Sequence, residues 1–249
     1  MMLQPIGRQS VSDAVYTQLR DLIVSDTQPA GSTLPSERDL AASAGVNRQA
    51  VREALQRLRA LGLVDIVHGG GVRVRDWRAS ADLSLLPEIV VDANGHIRAE
   101  PALALVRFRI AVNCDAAREA ARRQPAGMAE SLDAAMARAW ALHHPEREVA
   151  TIDVIDAYEQ VWAAIIAGSG SVAYQLVANS LRATVRSYVA LFPPARIPNP
   201  IPTQRYQETV DAVKAGDIEG AGVAAAATLA SAVKIFETYT GSSGSSSNS

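Results

Sequence analysis

Three polar side chains with base-reading chemistry lie together in one short stretch of the sequence. In GVNRQAVREALQRL, residues 45–58, Arg48 and Arg52 are four positions apart and Gln49 follows Arg48. Positions i and i+4 share one face of a helix. An arginine can fork onto O6 and N7 of guanine, and a glutamine can reach adenine or a phosphate. The spacing predicts a helix edge suited to the DNA major groove, with an ordinary solvated helix face as the alternative.

A glycine-rich turn, residues 68–71, offers a second candidate contact. His68 precedes Gly69, Gly70 and Gly71, and a backbone without side chains can approach DNA closely, in the minor groove or on phosphates. The alternative is a tight turn with an incidental histidine. Arg73 and Arg75 alternate with valines and are typical of the polar face of a strand, where they are either contacts or merely solvated.

The residues around these candidates predict the elements that position them. An apolar stripe predicts a helix over residues 10–25, and its members are Val11, Ala14, Val15, Leu19, Leu22 and Ile23. Ser36, with Asp39 three positions later, predicts the start of a second, short helix that ends at a left-handed Gly45. Asn47 predicts the cap of a third helix, which ends before Gly62. The side chains that should turn inward from the third helix are Val51, Ala54, Leu55 and Leu58.

The pattern after the third helix changes to short β-branched runs on either side of the glycines, which indicates a β-hairpin. A helix, a helix-turn-helix and a hairpin in that order predict a winged helix-turn-helix. A linker is predicted near residues 76–84. Beyond it, helices are predicted near residues 101–123, 126–142, 149–167, 171–192, 203–215 and 217–239.

The composition excludes several classes of protein. The chain has 249 residues, one cysteine and 48% hydrophobic residues, which suits a packed protein of a reducing cytoplasm. No apolar run is long enough to span a membrane, and no fingerprint of a hydrolase, zinc protease or nucleotide-binding enzyme is present. A net charge of −2 argues against an architectural DNA binder, because non-specific binding relies on excess cationic charge.

The stretch LPSERDLAASAGVNRQAVREALQRLRALGLVDIVHGGGVRV resembles the winged helix of the GntR family of bacterial transcription regulators. The shared frame is P-S-E-R-x-L-A, then G-V-x-R-x-x-V-R-E-A-L-x-x-L-x-x-x-G-L, then a glycine-rich wing, and it is most similar to the FadR-type branch. The residues that the resemblance assigns to double-stranded DNA are Arg38, Arg48, Gln49, Ala50, Arg52, His68 and Gly69. At position 50 hydroxyl residues are common in the family, so the alanine there offers only a methyl group to a thymine methyl.

The C-terminal half resembles, more loosely, the all-helical effector domain of the same branch. Many such domains hold a metal through Asp-x-x-x-His and two later histidines. The corresponding positions of this chain are Tyr158, Trp162, Tyr206 and Thr228. None of these is an expected ligand, and the four histidines of the chain, at 68, 96, 143 and 144, lack metal-site spacing. The sequence therefore predicts no metal and no cofactor.

Two kinds of effector site remain open at this point. Tyr158 and Trp162 share a helix face and Tyr206 would join them, which predicts an aromatic-lined cavity for an apolar or mixed ligand. Metal-free FadR-type proteins bind long-chain acyl-CoA, so the resemblance implies a fatty acyl candidate. The alternative is that these rings only fill the core.

Arginines suggest a different ligand, a small organic acid. An inward arginine in an apolar bundle must be paired, and a ligand carboxylate or phosphate can be its partner. The polar candidates for the effector site are Arg107, Asn179, Arg182 and Arg186. A solvated stripe is the alternative for these arginines.

The sequence thus predicts a mainly α protein with an N-terminal winged helix-turn-helix, a small β-hairpin and a C-terminal all-α bundle. We expect a DNA-binding domain at residues 1–78, an effector-binding and dimerisation domain at 79–240 and a disordered tail at 241–249. We expect a ligand-responsive transcription regulator that acts as a repressor and binds a short pseudo-palindromic operator as a homodimer. The alternative is an effector-independent DNA-binding protein whose bundle serves only dimerisation.

Overall fold

The chain folds into two compact units, Met1–His96 and Ile97–Ser249. The computed structural model describes residues 11–67, 70–92, 96–142, 151–189 and 203–243. The first unit is a helical domain with a small sheet, and the second is entirely helical in the described part. The predicted fold class, mainly α with a winged helix-turn-helix before a helical bundle, is confirmed. None of the helices within those ranges combines the length and the apolar composition needed to cross a membrane.

Three helices form the body of the first unit. They are α1 (Val11–Val24), α2 (Glu37–Ala44) and α3 (Arg48–Ala60). The inward stripe of α3 is confirmed, since Val51, Leu55 and Leu58 are almost completely buried. The stripe predicted for α1 is partly wrong, because Val11 and Leu22 are exposed. Tyr16 and Arg20 are buried in their place. Arg20 can be buried because its guanidinium group has the hydrogen-bond partners described below.

Local hydrogen bonds fix the turn between α2 and α3. The Ser36 hydroxyl accepts a hydrogen bond from the Asp39 amide at 3.2 Å and so caps α2. Gly45 ends α2 in the left-handed region, with φ of 65°, where a side chain would be strained. The Asn47 carboxamide oxygen accepts from the Ala50 amide at 2.8 Å and caps α3. All three residues act as the sequence predicted.

The wing is a three-stranded antiparallel sheet. Its strands are β1 (Thr33–Leu34), β2 (Val64–Val67) and β3 (Gly71–Val74), in the order β1-β3-β2. The predicted hairpin is β2 and β3, with Val64 opposite Val74 and Val67 opposite Gly71. The additional strand β1 was not predicted. It has only two residues, within the stretch between Pro29 and Pro35, and these are too few to show the alternation of a strand.

Short helices occupy the segment predicted as a linker, near residues 76–84, and the residues that follow it. They are α4 (Trp77–Ser80), a 3₁₀ turn (Leu83–Leu85) and α5 (Leu86–Val90). The Asp76 carboxylate accepts from the Arg78 amide at 3.2 Å, and the Asp82 carboxylate accepts from the Ser84 amide at 2.8 Å. These two caps start helical turns in a stretch whose composition indicated none. The predicted domain boundary at residue 78 falls inside α4.

The second unit contains the helices α6 to α11. Their bounds are Ala99–Arg123, Met128–Leu142, Thr151–Ser169, Val172–Val189, Thr203–Ala215 and Ile218–Ser243. Helix α6 is central and packs against α8, α9, α10 and α11. Small side chains such as Ala221 and Ala225 on α11 are fully buried. Helix α11 continues to Ser243, three residues into the tail that was predicted to be disordered, and the remainder of that tail lies outside the described residues.

Candidate nucleic-acid interface and effector cleft

Helix α3 presents one apolar face to the core and one polar face to solvent. Its buried side chains are Ala50, Val51, Ala54, Leu55 and Leu58. Arg48, Gln49 and Arg52 are exposed, in the first two turns, where the helix N-terminus adds partial positive charge. A helix with one cationic, exposed face and one face packed on the core can be placed in the major groove of DNA.

Glu37 of α2 pairs with both exposed arginines of α3. Its carboxylate accepts hydrogen bonds from Arg52, Nη2 at 2.9 Å and Nε at 3.3 Å, and Arg48 Nη2 lies 3.8 Å away. The hydrogen bond from Arg52 is the main reason why the pKa of Glu37 lies below its usual value. The same bond raises the pKa of Arg52. Glu37 thus orients the two guanidinium groups while leaving them accessible.

The other predicted contacts on these two helices have different outcomes. Gln49 is exposed, and its amide donates to the Glu53 carboxylate at 3.0 Å. Arg38 is highly exposed and lies 3.6 Å from the Asp39 carboxylate. Ala50 is only 6% exposed, so its methyl group does not lie on the polar face of α3. The prediction of a methyl contact at Ala50 is wrong because the position after Gln49 already turns toward the core.

The wing-tip candidates His68 and Gly69 lie outside the described residues. The wing's two arginines, Arg73 and Arg75, already have partners. Arg73 Nε donates to the Gly31 carbonyl at 3.3 Å, and Arg75 pairs with Asp65 at 3.4 Å. Both contacts lie within the wing and its flanking residues. The two arginines therefore have a structural role that does not require DNA.

A polar network that the sequence did not reveal fastens the back of α3 to α1 and α5. The Arg57 guanidinium lies 3.8 Å from the centre of the Tyr16 ring and pairs with Asp13 at 3.1 Å and with Glu88 at 2.9 Å. Arg20 reaches Glu88 at 3.2 Å and the Val91 carbonyl at 3.1 Å. Burial, followed by the Glu88 carboxylate, raises the pKa of Tyr16 well above its ordinary value. Arg57 of α3 and Arg20 of α1 therefore join α1, α3 and α5.

In the second unit, the three aromatic candidates pack on one another. The rings of Tyr158 and Tyr206 stack with their centres 4.2 Å apart, and Trp162 meets Tyr206 edge-on at 6.1 Å. All three are at most 6% exposed, and the Tyr158 hydroxyl lies 2.6 Å from that of Thr203. The expected aromatic-lined cavity is therefore filled by the rings themselves, and only Trp162 borders an open cleft.

The positions that hold a metal in related domains form part of this packed core. The Thr228 hydroxyl lies 3.0 Å from that of Thr209 and donates to the Arg205 carbonyl at 2.9 Å. Burial, and then the nearby Glu159 carboxylate, raise the pKa of Tyr206, so its phenol stays neutral. Within the described ranges, no group of three or more histidine, cysteine, aspartate or glutamate side chains is arranged to hold a metal.

The buried arginine of α6 is Arg109 and not Arg107. Arg107 is exposed, which contradicts the prediction of an inward side chain. Arg109 keeps only 15% of its side chain exposed and forms a direct ion pair with Glu159 of α8, itself 11% exposed. Burial disfavours the Arg109 cation, but the Glu159 carboxylate outweighs that effect and raises the Arg109 pKa. The sequence gave no sign of Glu159, because the pairing depends on how α6 meets α8.

A small cleft lies between α6, α8 and α9. Its lining residues are Arg109, Asn113, Glu159, Trp162, Ile166, Ala178, Leu181 and Arg182. Arg182 is thus the predicted polar candidate that borders the cleft. Asn179 is exposed and its carboxamide oxygen accepts from Gln175 at 3.1 Å, while the side chain of Arg186 lies outside the described part of the chain. The cleft has room for roughly one water molecule.

Both units match known families. Residues 11–74 match the family described as bacterial regulatory proteins, gntR family, and residues 104–231 match the FCD domain. An uncharacterised HTH-type transcriptional regulator of Mycobacterium bovis and the HTH-type transcriptional regulator Mce2R of Mycobacterium tuberculosis are each 33% identical over 229 residues. In both cases the alignment covers 90% of this chain and 91% of the relative.

A solved structure shows the same fold. Lar, which controls the expression of the Listeria monocytogenes agr system and mediates virulence, superposes with a TM-score of 0.55 at 15% sequence identity. The superposition covers 94% of this chain and 99% of that chain. At this level of identity the similarity establishes the architecture alone.

Proposed function

The chain belongs to the GntR family of bacterial regulatory proteins and carries an FCD domain, and on that premise we propose that it is an effector-controlled repressor. As a member of this family it is a DNA-binding transcription regulator. The finer proposal is that it binds a short pseudo-palindromic operator as a homodimer. A small molecule in the C-terminal unit would then release it from DNA.

The polar face of α3 carries this proposal. Arg48 and Arg52 are exposed and share the Glu37 carboxylate, while the opposite face of the helix is buried under the core. The capped turn at Asn47 fixes the direction of the helix. Exposed guanidinium groups held in one orientation favour bidentate contacts with guanine or phosphate.

The proposed homodimer and the proposed operator symmetry belong together. Two copies of one recognition helix read two half-sites of inverted sequence, so a dimeric regulator predicts a pseudo-palindromic operator. An effector can control such a complex only if it binds better to the arrangement that does not fit DNA. The FCD unit supplies the candidate site, because it contains a cleft that is separate from the recognition surface.

The experiment that tests the DNA interface starts from a randomised duplex library. We expect the full chain to select an inverted-repeat sequence, and each of Arg48→Ala and Arg52→Ala to bind the selected duplex about five- to 150-fold more weakly. The measurement is fluorescence anisotropy at fixed salt, with circular dichroism to verify folding.

Arg59→Ala is the matched control. Arg59 is exposed and lies at the other end of the same helix, so the substitution removes the same charge without touching the first two turns. Equal losses for all three variants would indicate a general charge effect, and unchanged affinity of the Arg48 and Arg52 variants would refute the recognition face. Selection of a direct repeat or a single half-site would refute the two-fold arrangement.

A further inference from the structure

Glu37 of α2 occupies one edge of the Arg52 guanidinium and leaves a second edge for another acceptor. Its two carboxylate oxygens accept separately, one from Nη2 at 2.9 Å and the other from Nε at 3.3 Å. A guanidinium carries five N–H groups in a fixed planar fork, so Glu37 does not use the remaining three, which include both on Nη1. Because 56% of the Arg52 side chain is exposed, an acceptor from solvent can reach this second edge.

The second edge of Arg52 suits a guanine base better than a phosphate. Its Nη1 and Nη2 atoms can donate side by side to O6 and N7 of guanine, which are adjacent acceptors in the major groove. A phosphate at the same place would bring a second anion close to the Glu37 carboxylate, and like charges repel. Guanine is uncharged and meets no such repulsion, so the Glu37 carboxylate favours a base over the backbone as the partner of Arg52.

The charges around Arg52 point in the same direction. The first two turns of α2 and α3 carry three arginines and three carboxylates, and these are Arg38, Arg48, Arg52, Glu37, Asp39 and Glu53. Each carboxylate has a polar partner on this surface, since Asp39 lies 3.6 Å from Arg38 and Glu53 accepts from Gln49. Sequence-independent affinity for DNA relies on excess cationic charge, so these turns attract the phosphate backbone only weakly.

We propose that Glu37 determines base specificity, because it directs Arg52 to the edge of a guanine and away from the phosphate backbone. The inference rests on the proposed function, since it requires that Arg52 lies in the major groove of an operator. Glu37 is a positioning residue that acts through Arg52. Without the carboxylate, Arg52 would keep its charge and lose its fixed orientation. Discrimination between base pairs would then fall, while affinity for unrelated DNA would rise.

The test measures base discrimination and general affinity separately, with the full chain and a duplex selected from the randomised library. Each G·C pair is replaced by A·T in both half-sites, and the pair whose replacement weakens the wild type but not Arg52→Ala is assigned to Arg52. For Glu37→Gln, we expect discrimination at this pair to fall by about fivefold or more. Binding to an unrelated duplex should become tighter at low salt. Fluorescence anisotropy measures each affinity.

Asp39→Asn is the matched control for the loss of a negative charge. Asp39 is exposed in the first turn of the same helix and pairs with Arg38 instead of Arg52. We expect this variant to bind the unrelated duplex more tightly and to keep wild-type discrimination at the pair assigned to Arg52. An equal loss of discrimination in both variants would reveal a general charge effect and overturn the proposal.

A double variant tests whether Glu37 acts through Arg52. Glu37→Gln/Arg52→Ala should discriminate at the assigned pair no worse than Arg52→Ala alone, and a further loss would overturn the positioning role. Urea midpoints verify that the variants are folded, because a positioning role predicts changed discrimination at an unchanged midpoint. A merely structural role of Glu37 would lower the midpoint and weaken binding to all duplexes alike, which would also overturn the proposal.

Failure of this proposal can be distinguished from failure of the proposed function. If Arg52→Ala binds the selected duplex like the wild type, the recognition face is refuted, and the role of Glu37 with it. If Arg52→Ala binds more weakly but no base pair depends on Arg52, or if Glu37→Gln keeps wild-type discrimination, only the role of Glu37 is overturned. In those two cases the proposed DNA-binding face of α3 stands.

Discussion

The chain uses an arginine–glutamate pair in each of its two units, and the two pairs have different surroundings. The Arg52 and Glu37 side chains are 56% and 28% exposed, whereas those of Arg109 and Glu159 are only 15% and 11% exposed. In water, an exposed guanidinium can exchange a carboxylate for a phosphate or a base at little cost. A buried pair cannot exchange, because each charge would be left in a medium that solvates it poorly.

This contrast explains how one residue type serves two purposes. On α3, Arg48 and Arg52 are exposed and pair with Glu37, so a large polyanion in solvent could reach them, as we propose for DNA. In the bundle, Glu159 pairs with Arg109 and neutralises its charge. We therefore assign the exposed pair to the proposed recognition surface and expect the buried pair to stabilise the fold.

Removal of the buried carboxylate should have the largest effect on stability. We expect Glu159→Gln to lower the free energy of unfolding by about 3–5 kcal/mol, because it leaves the Arg109 charge buried without compensation. Urea denaturation followed by circular dichroism measures the change. An Arg109→Leu/Glu159→Leu double variant should recover most of the loss, and a loss well below 1 kcal/mol in the single variant would show that the pair is hydrated.

The cap of the recognition helix should have an intermediate effect. Asn47→Ala removes the acceptor for the Ala50 amide, and a lost cap typically lowers the free energy of unfolding by about 1 kcal/mol. Asn179→Ala is the control, because Asn179 is exposed and bonds only to Gln175 on its own helix. Equal urea midpoints for the two variants would show that the capped turn does not stabilise α3.

The smallest effect on stability is expected at Glu37. Glu37→Gln should leave the urea midpoint nearly unchanged at neutral pH, since exposed ion pairs contribute little. The pKa of Glu37 is lowered in the folded chain, so any contribution is present above the ordinary carboxyl pKa and is lost as pH falls through the lowered value. A large shift of the midpoint at neutral pH would mean that this pair, like that of Arg109, is a structural one.

Residues that act through their chain neighbours could be predicted from the sequence, and residues that act through distant helices could not. Ser36, Gly45 and Asn47 form bonds within three or four positions, so their types and spacing indicated the turn. Inside α3, the apolar stripe was equally clear because the helix packs on one side only. The proposed recognition surface is local, so the exposure of Arg48, Gln49 and Arg52 could be predicted from the sequence.

The bundle shows where that reasoning stops. Helix α6 packs against α8, α9, α10 and α11, so apolar residues occur on all of its sides. Their spacing therefore does not show which of Arg107 and Arg109 is buried. The shared face of Tyr158 and Trp162 was predicted correctly, but the sequence could not show that Tyr206 fills the space between them. The cleft exists only because three helices meet, and no spacing within one helix reports that.

The central claim is that the polar face of α3 binds DNA. The most direct measurement is the affinity of the full chain for its selected duplex, for the wild type and for the Arg52→Ala and Arg59→Ala variants. The account predicts that Arg52→Ala weakens binding by about five- to 150-fold and that Arg59→Ala, at the other exposed end of the helix, leaves it nearly unchanged. Equal affinities of the wild type and the Arg52→Ala variant would contradict it.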